Sequence, residues 1–254
     1  MVSLALDKVG ARYGRREILT NASTPAITGG VLTALVGANA AGKSTLFRRM
    51  AGQLRGSGAV HLTGAGPDDL RYMPQDTAMS AALTVYETII LALKQGRGGW
   101  RLSAAELAAV DDVLHRFGVA HLAERQLPEL SGGQRQAVSI AQTLVTRPKV
   151  VLMDEPTSAL DLYRQYEVLE ALRHYAQETG AVVILALHDL NQVMRACTMV
   201  MALAEGRILA TGPTLEVLTP KMISQLYGID SRVEHCSRGC PVMIVDGPSH
   251  VGAQ

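Results

Sequence analysis

Three short segments carry residues whose types and spacing suit phosphate chemistry. Gly37-Ala-Asn39-Ala40-Ala41-Gly42-Lys43-Ser44-Thr45 fits the pattern G-x-x-x-x-G-K-[ST]. In such a loop bare backbone N–H groups and the positive end of a following helix can hold phosphate oxygens. Lys43 would bring a point charge to the β- and γ-phosphates, and Ser44 a hydroxyl for Mg²⁺. Glycine-rich turns arise by chance, but here the apolar run Val31–Val36 precedes the loop and a helical stretch from Lys43 to about Ala51 follows it. Val150-Val-Leu-Met-Asp154-Glu155 places two carboxylates at the end of an apolar strand. Asp154 is the candidate for holding Mg²⁺, and Glu155 for polarising a water against the γ-phosphate. Paired acids at a strand end are common on surfaces; it is the accompanying glycine loop that selects the catalytic reading. Leu130-Ser131-Gly132-Gly133-Gln134 opens a helix-like stretch from Arg135 to Val145. Its hydroxyl, bare amides and helix end form a second anion site, although any N-capped helix has the same parts.

The elements needed to position these segments follow from hydrophobic spacing. Residues 1 to about 30 alternate over short stretches and predict antiparallel strands; Ala59–Leu62 predicts a further short strand. Residues from about 78 to 147 read as mainly helical. Thr84–Lys94 has an apolar face, and Ser103-Ala-Ala-Glu106 is a capping-box pattern that opens a helix to Phe117. Beyond Lys149 strands and helices alternate: strand Val150–Asp154, helix Leu162–Thr179 stopped by Gly180, strand Ala181–Leu187, and a helix from about Asp189 to Cys197. Such alternation predicts a largely parallel sheet covered on both faces. The helical insertion between the two halves predicts a second lobe.

Composition bounds the rest. The chain has 254 residues, 48% of them hydrophobic, and a formal net charge of +1. That apolar content excludes a disordered chain, and the near-neutral charge argues against an electrostatic nucleic-acid binder. The start, Met1 to Lys8, does not read as a signal peptide, and no run approaches the ~18 apolar residues of a membrane span. The expectation is a soluble cytoplasmic protein able to sit on a membrane by holding a membrane protein. Cys197, Cys236 and Cys240 are too few, and odd in number, for a disulfide framework. Cys236 and Cys240 could chelate a metal or sense redox state, but with only His235 close by they read as ordinary thiols in a terminal tail. His61, His115, His121, His174, His235 and His250 have no motif around them.

Taken in order, the motifs resemble the nucleotide-binding subunit of ATP-binding-cassette (ABC) transporters over nearly the whole chain. The glycine loop corresponds to the Walker A motif, Val150–Glu155 to Walker B and Leu130–Gln134 to the signature motif. Gln75, in Met73-Pro-Gln75-Asp76, matches the Q-loop, Ser158-Ala-Leu-Asp161 the D-loop, and His188 the switch histidine. Tyr13 lies where the family places an aromatic that stacks on adenine. One departure is Ala40, where the family usually has glycine; at a positive φ it would cost about 1 kcal/mol. The resemblance implies an α/β fold of the ABC-type P-loop NTPases, with a mixed sheet core, an antiparallel β-subdomain and a helical subdomain. It implies one nucleotide-binding domain over residues 1–254: a RecA-like core (1–77 and 148–228), a helical subdomain (78–147) and a tail (229–254).

The implied function is ATP hydrolysis. Glu155, His188 and Gln75 would be catalytic. Ser44, Gln75 and Asp154 would hold Mg²⁺. Tyr13, Gly37, Asn39, Ala40, Ala41, Gly42, Lys43, Ser44 and Thr45 would bind ATP from one copy, and Ser131, Gly132, Gly133 and Gln134 from the copy facing it head to tail; Asp161 would be a further nucleotide-binding residue. The implied partners are this second copy, integral-membrane permease subunits whose helix enters a groove around Gln75 and Leu83–Leu93, and indirectly a periplasmic or surface substrate-binding protein. Nucleic acid is not among them. The implied place is the cytoplasmic face of the plasma membrane. Leu83-Thr-Val-Tyr-Glu87, His188-Asp-Leu-Asn191, Gly206–Pro213, Glu216-Val-Leu-Thr219 and Tyr227-Gly228 look like the importers of ferric siderophores, haem and cobalamin, the first of these above all; Gly96-Arg-Gly-Gly-Trp100 departs from that group. A soluble ABC ATPase is the alternative of another class, but only one Walker A motif is present, and the stretch from Lys43 to Leu130 is too short for a long coiled coil. A non-catalytic scaffold fits poorly with Glu155 and His188, and an exporter fits less well than an importer.

Overall fold

The computed structural model describes residues 1–75, 82–95 and 101–249. Asp76, the start of the expected helical lobe at 78, Gly96–Trp100 and His250 lie outside the described residues.

A six-stranded sheet forms the centre. Its strands are β3 (Leu32–Val36), β5 (Leu70–Met73), β6 (Val150–Asp154), β7 (Val182–Ala186), β8 (Met199–Ala204) and β9 (Arg207–Pro213), in the order β5-β6-β7-β3-β8-β9. All neighbours are parallel except β8 and β9. Strands β3, β6 and β7 are buried along their whole length, as continuous apolar runs in a two-face-covered sheet must be. Alternate residues of each strand feed opposite cores. Val151, Met153, Val183 and Leu185 join the helices; Val150, Leu152, Val182 and Ile184 join the antiparallel lobe.

That second lobe is a three-stranded antiparallel sheet, β2 (Arg16–Thr28), β1 (Ser3–Tyr13) and β4 (Ala59–Thr63). It packs with helix α1 (Lys43–Met50), whose Leu46 and Phe47 are fully buried. The helical region holds α2 (Val85–Lys94), α3 (Ala104–Arg116) and α4 (Gly132–Leu144). Thr84, Ser103 and Ser131 each cap one of them with a reciprocal capping box, which satisfies two of the helix end's orphan donors. Helix α5 (Leu162–Thr179) ends at left-handed Gly180, and α6 (Leu190–Ala196) is capped by Asp189.

Beyond α6 the chain runs through β8, β9, the short α7 (Thr214–Val217) and α8 (Pro220–Tyr227) into a hairpin, β10 (Ile229–His235) and β11 (Pro241–Pro248). Residues 229–248 of the tail are therefore a β-hairpin. Asn191 on α6 grips it reciprocally: its Nδ2 donates to the Met243 carbonyl (3.3 Å) and its Oδ1 accepts from the Met243 N–H (2.8 Å). Asn191→Ala should lower unfolding free energy by about 1–2 kcal/mol, because it strands backbone groups of buried Met243. Denaturant titration with hydrogen exchange on β11 checks this; unchanged exchange there would show that the grip does not hold the hairpin.

Candidate functional site

Four consecutive strands end at one edge of the sheet, and each releases a loop carrying a motif residue. β5 leads to Gln75, β6 to Glu155, β7 to His188 and β3 to Gly37. Asp154 and Leu35 are both level with Ala186 on β7. In a parallel sheet the carboxyl ends of the strands are where ligands meet the backbone.

The glycine loop is built for close backbone approach. A Cβ at Gly37 would stand 2.2 Å from the Leu203 carbonyl oxygen, so only glycine fits there. Gly42, at φ +107°, offers α1 no side-chain cap, and the first turn of α1 has no acidic residue, which leaves a positive helix end open to anions. Lys43 is only 7% exposed. Its ammonium donates to the carbonyls of Gly37 (2.7 Å) and Ala38 (3.1 Å), holding the loop closed. An ammonium has three donors, so one remains for a phosphate. Burial lowers the Lys43 pKa, against the opposing charges of Glu155 and Asp154. Asn39 and Ala40 lie exposed at the crest of the loop, Ala41 is buried, and Ser44 and Thr45 open α1. Ala40 has φ +61°. Its side chain therefore sits in the strained left-handed region, as the alanine-for-glycine exchange led one to expect if the loop took that shape.

Asp154 is 1% exposed, and its Oδ1 is buried with no hydrogen-bond partner. Burial raises its pKa, while a hydrogen bond from Ser44 opposes the rise. A buried orphan carboxylate oxygen beside a serine hydroxyl is a donor set that suits a hard divalent cation such as Mg²⁺. Next in the chain, Glu155 has φ +53°, a second non-glycine residue in the left-handed region. Its carboxylate is held from two sides: Gln75 Nε2 donates to Oε2 (2.9 Å), and His188 Nε2 contacts Oε1. Its backbone carbonyl accepts from Gln136 Nε2 on α4 (3.1 Å) and from Ser158 Oγ (3.1 Å). Gln75, Glu155 and His188 thus form one polar cluster at the strand ends, beside Lys43 and Asp154. Such an arrangement can seat a triphosphate and orient a water against its last phosphate.

The remaining motif residues lie elsewhere. Ser131, Gly132, Gly133, Gln134 and Asp161 line a separate cavity of about 1030 Å³ between the helical region and α5, with none of the glycine-loop residues in its wall. Tyr13 is 45% exposed at the end of β1, its hydroxyl 3.5 Å from Arg48 Nη1. One contact is not evident from the motifs alone. Tyr227, at the end of α8, accepts a hydrogen bond from the Gly37 N–H (3.1 Å), and burial raises its phenol pKa. In the sequence the Tyr227-Gly228 pair stands out only through its resemblance to the importer group, and nothing in its spacing connects it to a loop 190 residues earlier.

Two substitutions test this geometry. Ala40→Gly relieves strain that the folded loop already holds, so it should raise stability by up to about 1 kcal/mol and leave ATP affinity within a few-fold. Thermal unfolding and nucleotide titration check both; a large affinity gain with no stability change would mean that the strain is taken up only on binding. Tyr227→Phe keeps the ring and removes the acceptor, and should weaken ATP binding about five-fold, the equivalent of ~1 kcal/mol. Equal affinity by calorimetry would remove Tyr227 from the seating of the loop.

Comparison with known proteins places this geometry. A family model described as ABC transporter matches residues 21–158. An iron(3+)-hydroxamate import ATP-binding protein, FhuC of Bacillus subtilis, is 34% identical, over 92% of this chain and 90% of its own length. The hemin import ATP-binding protein HmuV of Bradyrhizobium diazoefficiens is 37% identical, over 92% and 91%. Among solved structures, cbiO1 of Clostridium perfringens, part of the ABC transporter complex cbiONQ, is 29% identical with a TM-score of 0.73, covering 87% of this chain and 92% of that one. A chain of an ABC transporter in an inward-facing conformation, described as of metal-chelate type, has the same fold, with a TM-score of 0.85 at 24% identity over 98% and 99% of the two chains. The chain belongs to the ABC transporter family and is an ATPase domain of that family.

Proposed function

We propose that this chain is the ATP-hydrolysing subunit that energises an importer, most of all one for ferric siderophore, with haem or cobalamin as the alternative cargo. The observation that carries the ATPase role is the clasp of the Glu155 carboxylate between Gln75 and His188. The cargo reading is supported by the names of its relatives, importers of iron(3+)-hydroxamate and hemin. On this reading the chain is one nucleotide-binding domain over 1–254, with a RecA-like core (1–77 and 148–228), a helical subdomain (78–147) and a tail (229–254).

The glycine loop and the N-terminus of α1 would bind the phosphates, and Tyr13 would stack on adenine. The third N–H of Lys43 would meet the β- and γ-phosphates. Ser44, Asp154 and Gln75 would hold Mg²⁺, which supplies charge neutralisation on the phosphate oxygens when bound. Glu155 would accept a proton from the attacking water as its oxygen bonds to the γ-phosphorus and the β–γ bridge breaks. Gln75 and His188 keep that carboxylate aimed, and His188 would also touch the γ-phosphate. Ser131–Gln134 and Asp161 are in a different cavity from Lys43, which supports their serving the nucleotide of a second, head-to-tail copy.

A groove suits the permease. Arg71, Tyr72, Met73 and Pro74, just before Gln75, line a 220 Å³ pocket with Ala92 and Gln95 at the end of α2. A cytoplasmic permease helix seated there would press on the strand end that carries Gln75. Among the described residues no helix is long and apolar enough to cross a membrane, in keeping with peripheral attachment through such a permease at the cytoplasmic face, with a substrate-binding protein further along the assembly.

Glu155→Gln should keep ATP binding, lose roughly 100-fold or more in turnover and accumulate an ATP-dependent dimer. Lys43→Ala should lose ATP binding. Steady-state ATPase assays and light scattering with ATP check both; wild-type turnover in Glu155→Gln would remove Glu155 as base. Pull-down of the tagged chain from native membranes tests the assembly. A stoichiometric polytopic permease is the expected companion, and recovery of soluble partners alone would sink the importer reading.

A further inference from the structure

The tip of the C-terminal hairpin brings two thiols together. The ladder of β10 and β11 ends at the pair His235 and Pro241. One residue further on, the Cys236 N–H donates to the Cys240 carbonyl (2.9 Å), and the Gly239 N–H donates back to the Cys236 carbonyl (2.8 Å). Gly239 has φ +73°, so Ser237, Arg238 and Gly239 form a three-residue hairpin loop that closes on a left-handed glycine. Cys236 and Cys240 are therefore opposed across the base of the turn, and both are exposed. Opposed residues of an antiparallel pair have Cα atoms roughly 4.5–5.5 Å apart, inside the roughly 4.4–6.8 Å that a disulfide spans.

We propose that Cys236 and Cys240 are a reversible dithiol–disulfide site that exchanges with small-molecule disulfides such as oxidised glutathione. The Cys236 thiol loses its proton to solvent, and its sulfur attacks one sulfur of the incoming disulfide, breaking that S–S bond, releasing one thiolate and forming a mixed disulfide. The Cys240 thiol then loses its proton to solvent and attacks the Cys236 sulfur, releasing the second thiolate. Two protein thiols are oxidised to one disulfide, and one small disulfide is reduced to two thiols.

The surroundings assign the roles. The backbone N–H groups of Arg238 and then Cys240, the Cys240 thiol and the charge of Arg195 on α6 hold the Cys236 thiol below its ordinary value, which favours the attacking thiolate. Cys197 is the internal control: it is buried, and its thiol is pushed up to about 12 by that burial. Among the described residues no group of three His, Cys, Asp or Glu is placed to hold a metal, so the thiol pair is read as a redox pair. The hairpin also has a route inward, since Asn191 ties Met243 to the helix that follows His188.

The test uses the full reduced chain, equilibrated against graded ratios of reduced and oxidised glutathione and read by intact mass and peptide mapping. The expected result is loss of two hydrogens in one transition, a Cys236–Cys240 linked peptide, reversal by reductant and no adduct at Cys197. Cys240→Ser should instead accumulate a glutathione adduct at Cys236, and should retain wild-type ATP turnover when reduced. Independent glutathione adducts on both cysteines of the wild-type chain, or no oxidation at Cys236, would overturn the proposal. Hydrogen exchange on Val233 and Val242 gives a second readout: it should slow on oxidation, and unchanged exchange together with separate adducts would leave two unrelated surface thiols.

Discussion

Ala186 stands level with Asp154 on one neighbouring strand and Leu35 on the other. Because β7 lies between β3 and β6 in that register, the glycine loop, the paired acids and His188 leave the sheet from one line. A slip of one residue in any of these strands would turn its apolar side chains to the opposite face and move its loop out of reach. The two cores prevent that slip, since alternate residues of each strand are committed to one face or the other. Packing on both sides of the sheet thus sets the distances among groups that share no local sequence.

The charges at that edge are then arranged against their own burial. Desolvation pushes Lys43 towards the neutral amine and Asp154 towards the neutral acid, and each group's charge supports that of the other. Glu155 sits next to them in an unfavourable backbone conformation, bonded through its carbonyl to α4 and through its carboxylate to Gln75 and His188. Strain of this kind persists only where several contacts over-determine it. Here those contacts come from three other segments, so the helical region and the sheet share responsibility for one carboxylate.

The strands, loops and caps around the motifs could be read from the sequence because each rests on local chemistry. Val150–Asp154 and Ala181–Leu187 are apolar runs of strand length, Gly180 stops α5, and Ser103 with Glu106 opens α3. What escaped the reading rests on distant partners. β5 is four residues long and contains Arg71 and Tyr72, so it has no pattern of its own apart from β6. The C-terminal hairpin is largely exposed, and its strands acquire meaning only against α6 and α8. Tyr227 looks like the last residue of an ordinary amphipathic helix; its hydrogen bond to Gly37 exists only once the whole sheet has formed.

The Tyr227 contact bears on how the protein is made. Gly37 is synthesised 190 residues before the phenol that receives its N–H, and β3 before both of the strands that flank it. A chain emerging from the ribosome therefore carries its glycine loop through 190 further residues before its anchor is in place. Non-local pairing of this kind is slow to form and comes late. The loop reaches its anchored form only after α8 has been made, so a product that stops before Tyr227 would carry the loop's sequence without its assembled form.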